Sequence, residues 1–125
     1  MPGLRVLATA TAGLDPNRLG LSLAPAARLA LDRAGLTLDD VDVVEFNEAF
    51  AGQILACCQE LGLDPVRVCP QGGALALGHP WGASGAVLAV RLFSQLVRQR
   101  AGRYGLAAIA AGGGQGVAMV VEAVA

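Results

Sequence analysis

The sequence contains no lysine, one histidine and few charged side chains, and these shortages limit what the protein can bind. Nine arginines against ten acidic residues leave a net charge of −1, so a nucleic-acid partner is not expected. Hydrophobic residues make up 54% and charged residues 15%, which excludes an intrinsically disordered chain. So few charges also suggest that another protein covers part of the surface, although a small Ala- and Gly-rich domain would have the same composition.

The cysteines have neither the number nor the spacing of a disulfide framework or a metal site. There are only three, Cys57, Cys58 and Cys69, and the first two are adjacent. We interpret all three as free thiols in core or wall positions of a protein from a reducing compartment, so a cytoplasmic location is expected.

No stretch of the sequence has the pattern of a signal peptide or a membrane span. Residues 1–13 lack a charged start followed by a long apolar run, so no signal peptide is expected. Residues 104–121 are uncharged, but the glycines at 112–114 interrupt them. Two buried strands joined by a glycine turn explain this stretch better than a membrane helix, and no membrane partner is expected.

Hydrophobic periodicity and turn residues divide the chain into alternating strands and helices. The predicted strands are Arg5–Thr11, Val41–Phe46, Val66–Cys69, Leu106–Ala111 and Val117–Val124, and the predicted helices are Pro25–Ala34, 48–61 and Trp81–Arg98. A Gly-rich loop fills 70–80, and the last two strands are expected to be adjacent and antiparallel. The order β-α-β-α-β-α-β-β predicts one α/β domain over residues 1–125, with a mixed five-stranded sheet.

Three short segments could carry chemistry, although each also has a plain structural explanation. Asn47 follows a strand at the sheet edge where α/β proteins bind ligands; its amide could hold a water or simply cap the next helix. His79 opens a predicted helix, where a neutral imidazole could donate to an oxyanion or satisfy a buried carbonyl. The glycines at 112–116 could bring a backbone N–H close to a reacting oxygen, or only form a tight turn.

Longer stretches around these segments resemble one protein family. They read NEAFA at 47–51, GGALALGHPWGASGA at 72–86 and RYGLAAIAAGGGQGVAMVVE at 103–122. From about Arg5 onward the chain resembles the C-terminal domain of thiolases, the acetyl-CoA acetyltransferases and 3-ketoacyl-CoA thiolases. The resemblance implies two similar halves stacked in α-β-α-β-α layers, in dimers or tetramers. It also implies a coenzyme A thioester substrate, with no covalent cofactor and no metal.

The resemblance assigns roles to four positions of this chain. His79 would donate to an oxyanion, Asn47 would hold the water beside it, and the Gly112 N–H would help form a second oxyanion hole. The family's acid/base cysteine precedes the glycine run, where this chain has Ala110. Some sterol-carrier-type thiolases place a cysteine in the NEAF segment instead, but the matching residue here is Ala49. The family's nucleophilic cysteine and most of its CoA-binding loops belong to the N-terminal half, outside these residues.

Three functions are compatible with this pattern. In the first, the chain is one part of a thiolase-type acyl-CoA acyltransferase, inactive alone. An N-terminal half would come from a separate chain or from the rest of the same protein, in a homo- or hetero-oligomer. In the second, it is a non-catalytic binding or scaffold subunit, because Ala110 cannot move a proton. In the third, it belongs to a cysteine-independent acyl-CoA lyase, in which His79 and Asn47 stabilise an enolate during retro-aldol cleavage.

Overall fold

A mixed sheet of four strands organises the chain, and the computed structural model describes all of residues 1–125. The strands are β1 (Gly3–Gly13), β2 (Val43–Phe46), β3 (Tyr104–Ala111) and β4 (Gln115–Val124), in the spatial order β1-β4-β3-β2. Strand β4 is antiparallel to both β1 and β3, and β2 is parallel to β3. The α/β class and the antiparallel pairing of the last two strands are therefore confirmed.

Four α-helices surround the sheet, together with several shorter helical turns. They are α1 (Leu23–Ala34), α2 (Ala51–Leu61), α3 (Ala74–Leu77) and α4 (Ser84–Leu92). The segment 81–98, predicted as one helix, is a continuous series of three forms: a 3₁₀ turn at Trp81–Ala83, then α4, then a π-helical stretch at Phe93–Arg98. Glycines at 35 and 62 end α1 and α2 in the left-handed conformation, each with φ 69°.

The predicted fifth strand, Val66–Cys69, is wrong. Pro65–Arg67 is a 3₁₀ turn instead, opened by Asp64, whose carboxylate accepts the N–H of Val66 at 3.0 Å. Proline has a fixed φ and no N–H to donate, which suits the first turn of a helix better than a strand. Only Val68 makes an isolated bridge, to Val44, so the sheet has four strands.

The second helix begins later than predicted, and Asn47 does not cap it. Phe50 is the N-cap residue, and α2 starts at Ala51. The N–H of Asn47 instead continues the sheet pattern by donating to Ala108 O at 2.9 Å. Phe50 and Leu55 do not face the core, because they are 61% and 56% exposed. The buried positions of α2 are Gln53, Ile54, Cys57 and Cys58.

The core has one part on each face of the sheet. Twenty buried residues form the larger part, between the sheet and helices α1 and α2, while six form the smaller part under α4. Side chains alternate along β3, so Leu106 and Ala108 join the larger part and Ala107 joins the smaller one. Helix α1 comes so close to β4 that a Cβ on Gly116 would lie 2.0 Å from Ser22 O. This contact requires glycine at 116.

The outer face of α4 is apolar although it is exposed. Val87 and Val90 are 40% and 63% exposed, and the exposed Gly85 and Ala86 beside them add no charge. An exposed apolar patch on a helix often marks a surface that another element or protein covers. No helix of the chain combines the length and the hydropathy that crossing a membrane requires.

Candidate functional site

Asn47 and His79 meet at the edge of the sheet where the parallel strands β2 and β3 end. Asn47 comes directly after β2 and is 2% exposed. Its Nδ2 lies 3.3 Å from Nε2 of His79, although the two residues are 32 positions apart. The structure thus brings together two of the residues that the sequence singled out, at the edge where α/β sheets bind ligands.

A second contact holds the other side of the imidazole. His79 Nδ1 lies 2.5 Å from Oγ of Ser84, the buried first residue of α4. If Asn47 donates to Nε2, then Nδ1–H donates to Ser84 Oγ. In the other tautomer the Ser84 hydroxyl donates to Nδ1 and Nε2 carries the proton. Nε2–H and the Asn47 Nδ2 are then both donors, so they make no hydrogen bond to each other and both can donate to an oxygen of a ligand or water. Ser84 was not predicted as a site residue, because no local pattern in the sequence shows that it contacts His79.

The loop around His79 has an unusual backbone. Gly78 has φ 104°, which side chains rarely adopt. Trp81 has φ 44° and is 83% exposed. A bulky residue in the left-handed region costs about 1–3 kcal/mol, and such residues concentrate at functional sites.

Ala49 and Ala110 line the same shallow cavity. Leu19, Gly20, Phe50, Ala111 and Gly112 complete its lining, so it contains no ionisable side chain. The two positions at which thiolases carry an acid/base cysteine therefore line one cavity, and in this chain both are alanines that cannot act as an acid or a base. The cavity shares no lining residue with the cleft around His79, and no hydrogen bond joins them.

A buried ion pair lines the cleft beside His79. The same cleft is lined by Asn47 and Ser84, which contact the imidazole, and by Glu45 and Arg91. The Glu45 carboxylate accepts hydrogen bonds from Arg91 Nε at 2.8 Å and from Gln95 Nε2 at 2.6 Å. Glu45 is fully buried, and Arg91 Nη2 has no hydrogen-bond partner. The only sequence signal was an acidic residue, Glu45, between the apolar residues Val44 and Phe46 of a predicted strand.

The three cysteines are buried, which confirms their interpretation as core positions. Burial raises the pKa of the Cys57 thiol to about 11. Burial, followed by the nearby carboxylates of Glu45 and Glu48, raises the pKa of Cys69 to about 12. Protonated thiols of this kind cannot replace an acid/base cysteine near neutral pH. No group of three or more His, Cys, Asp or Glu side chains is arranged to hold a metal ion.

We expect these thiols to resist modification in the folded chain. At pH 8 the thiolate fraction at Cys57 and Cys69 should be lower than that of a free cysteine by a factor on the order of 10² or more. A disulfide reagent should therefore react slowly with the native chain and rapidly with three thiols in urea. Because folding raises the pKa of Cys57 and Cys69, their contribution to stability is complete below the unfolded thiol pKa, near 9.0, and is lost as pH rises toward 11 and 12. Rapid native labelling at pH 8 would contradict the burial.

The similarity to known proteins covers almost the whole chain. Residues 2–123 match the family model described as "Thiolase, C-terminal domain". The 3-oxoadipyl-CoA/3-oxo-5,6-dehydrosuberyl-CoA thiolase of Escherichia coli K12 is 52% identical over 125 residues, covering 98% of this chain and 31% of that protein. The beta-ketoadipyl-CoA thiolase of Acinetobacter baylyi is 49% identical over 122 residues, covering 96% and 30%.

The fold of almost the whole chain also matches solved thiolase structures. The crystal structure of human mitochondrial 3-ketoacyl-CoA thiolase superposes with a TM-score of 0.92 at 43% identity, covering 98% of this chain and 31% of that one. The same human enzyme in complex with CoA superposes with a TM-score of 0.93. The chain thus spans about a third of the length of these relatives. With a family model that matches almost all of its residues, the chain belongs to the thiolase family, as its C-terminal domain.

Proposed function

We propose that this chain supplies the asparagine–histidine part of the active site of a thiolase-type acyl-CoA acyltransferase, of the acetyl-CoA C-acyltransferase class. The observation that carries the proposal is the 3.3 Å contact between Asn47 and His79 at the end of β2. It occurs in a chain 52% identical to a thiolase that acts on 3-oxoadipyl-CoA, so the substrate class is a coenzyme A thioester.

His79 stabilises negative charge on the thioester oxygen of the substrate. With Ser84 donating to Nδ1, Nε2–H can donate to an oxygen on which charge develops as the α-proton leaves. Asn47 lies against the same nitrogen and holds a water as the second donor. Gly112, with open space where a Cβ would stand, offers its N–H to the oxygen of the acyl group on the partner half.

An N-terminal thiolase half provides the nucleophilic cysteine and most of the CoA contacts. The relatives are about three times longer than this chain. A segment equivalent to their remaining residues would cover the exposed apolar surface of this chain. That surface includes the apolar outer face of α4, with Val87 and Val90, and the neighbouring Leu75, Leu77 and Trp81, all exposed. The half is either a separate chain or another part of the same protein, and alone the 125 residues are inactive.

A non-catalytic thiolase-like subunit is the second candidate. The cavity shared by Ala49 and Ala110 favours it, because that cavity has no group that transfers a proton. Such a subunit would keep the oxyanion donors and bind an acyl-CoA without turning it over.

The role of His79 is tested in an assembled enzyme. The chain would be co-expressed with the N-terminal part of the Escherichia coli relative, in a background where Ala110→Cys restores the proton-transfer group. His79→Ala should then lower kcat for thiolysis of a 3-ketoacyl-CoA by about 10²–10³-fold, the usual cost of removing one oxyanion donor. Glu60→Ala, which removes a surface carboxylate, serves as the control and should leave kcat unchanged. Equal rates for the His79→Ala variant and its parent would overturn the proposal.

A further inference from the structure

Residues 69–78, which lead to His79, make three hydrogen bonds to the end of β2 and the residues after it, in addition to an exposed contact between Gln71 and Gln99. The N–H of Cys69 donates to Val44 O at 2.9 Å, and the Cys69 thiol donates to Phe46 O at 3.1 Å. Farther along the segment, the N–H of Leu75 donates to Glu48 Oε2 at 3.1 Å. Of these three attachments, the one at Glu48 is nearest to His79 along the chain, and it alone uses an acceptor in a side chain.

The Glu48 carboxylate occupies the space over Gly73, at the start of α3. A Cβ on Gly73 would lie 2.4 Å from Glu48 Oε2 and 2.9 Å from Cys69 Sγ. Glycine at 73 therefore lets the carboxylate come close enough to accept the N–H of Leu75. The position of the carboxylate and the absence of a side chain at 73 depend on each other.

Helix α3 connects the residue held by Glu48 to His79 through a hydrogen-bonded turn. The N–H groups of Ala76 and Leu77 both donate to Gly73 O, at 3.0 and 2.9 Å. The N–H of Gly78 donates to Ala74 O at 2.9 Å, and His79 follows. One closed turn thus separates the residue held by Glu48 from the imidazole, which leaves little freedom for independent movement.

We propose that Glu48 is a positioning residue for His79. It fixes the turn that precedes the histidine, while its neighbour Asn47 contacts the ring itself at 3.3 Å. Two consecutive residues after β2 thereby set both the path of the loop and the orientation of the imidazole. The catalytic meaning of this coupling rests on the proposed function of His79, whereas the coupling itself can be measured without any activity.

Three substitutions separate position from charge and from general stability. Glu48→Gln keeps an acceptor oxygen at the same reach, so it should preserve the attachment. Glu48→Asp keeps the charge but withdraws the oxygens by one methylene, and Glu48→Ala removes them. Glu60→Ala removes an exposed carboxylate that pairs with Arg28, far along α2, and is the matched control.

The single histidine makes the readout direct, because selective ¹⁵N-histidine labelling gives one Nδ1 and one Nε2 signal. The chain would be studied by NMR alone or bound to an unlabelled N-terminal half. Native, Glu48→Gln and Glu60→Ala chains should give the same pair of shifts. Glu48→Ala and Glu48→Asp should move both signals toward the averaged shifts of an unrestrained imidazole.

A folded Glu48→Asp or Glu48→Ala chain with native His79 shifts would overturn the inference, even if its stability had fallen. If Glu48→Ala fails to fold, the His79 shifts of the more conservative Glu48→Asp variant provide the test. The two proposals fail separately. Full activity of the assembled His79→Ala variant removes the proposed function and leaves the coupling intact, while unmoved shifts with an inactive His79→Ala variant remove only the coupling.

Discussion

Replacing Ala110 by cysteine should raise the turnover of the assembled acyltransferase by about 10²–10⁴-fold, the usual contribution of a general acid/base group. Ala110 lines a cavity at the end of β3, beside the glycine run, that contains no ionisable side chain. A thiol there would have the space to take a proton from one substrate and return it to another. The measurement is the kcat of thiolysis by this chain with the N-terminal part of the Escherichia coli relative, with and without Ala110→Cys.

Two further variants control this result. Ala110→Ser has a similar size but a hydroxyl far too weakly acidic to shuttle a proton at neutral pH, so it should stay near the native rate. Ala49→Cys places a thiol at another lining position of the same cavity and should recover part of the gain. A native assembly that already turns over as fast as Ala110→Cys would contradict the account, since proton transfer would then come from another group.

Arg91→Ala should lower the free energy of unfolding by about 3–5 kcal/mol, the usual cost of removing one partner of a buried ion pair. The Glu45 carboxylate has no exposed surface and accepts hydrogen bonds from only two side chains, those of Arg91 and Gln95. Without Arg91 its charge remains buried with a single neutral donor. Urea denaturation of the isolated chain or of the assembly measures the change.

An exposed ion pair provides the comparison. Arg28 pairs with Glu60 at 3.1 Å, with side chains 50% and 46% exposed, and Arg28→Ala should cost no more than about 1 kcal/mol. The double variant Glu45→Leu with Arg91→Met should recover much of the lost stability, because it removes both charges together. Equal effects of Arg91→Ala and Arg28→Ala would show that the Glu45 pair is not buried in solution.

The sequence predicted most of the fold, because the elements with strong periodicity or clear ends formed where expected. Helix α1 ends at Gly35, and the glycine run at 112–114 separates two antiparallel strands. The predictions failed where the conformational preference of a single residue differed from the structure that the hydrophobic pattern indicated. Pro65 turned an apolar run into a 3₁₀ turn. Asn47 has the chemistry of a helix cap, but its backbone instead extended the sheet by pairing with Ala108.

The site was only partly predictable, because its contacts join residues far apart in the chain. The resemblance named Asn47 and His79, yet only the folded chain shows that they touch. The Glu45–Arg91 pair spans 46 positions, and Ser84 reaches His79 across a turn. No periodicity marks such contacts. That Ala49 and Ala110 share a cavity likewise depends on the pairing of β2 with β3, in which Phe46 and Ala108 are the last partners before both residues.

The central claim is that these residues work together with an N-terminal thiolase half, and native mass spectrometry of the protein purified from its source cells tests it most directly. We expect these residues to be recovered in one complex, or one continuous chain, with a thiolase N-terminal half that contains a cysteine reactive toward acyl-CoA. Recovery only as a monomer of 12.6 kDa, stable without any such half, would contradict it.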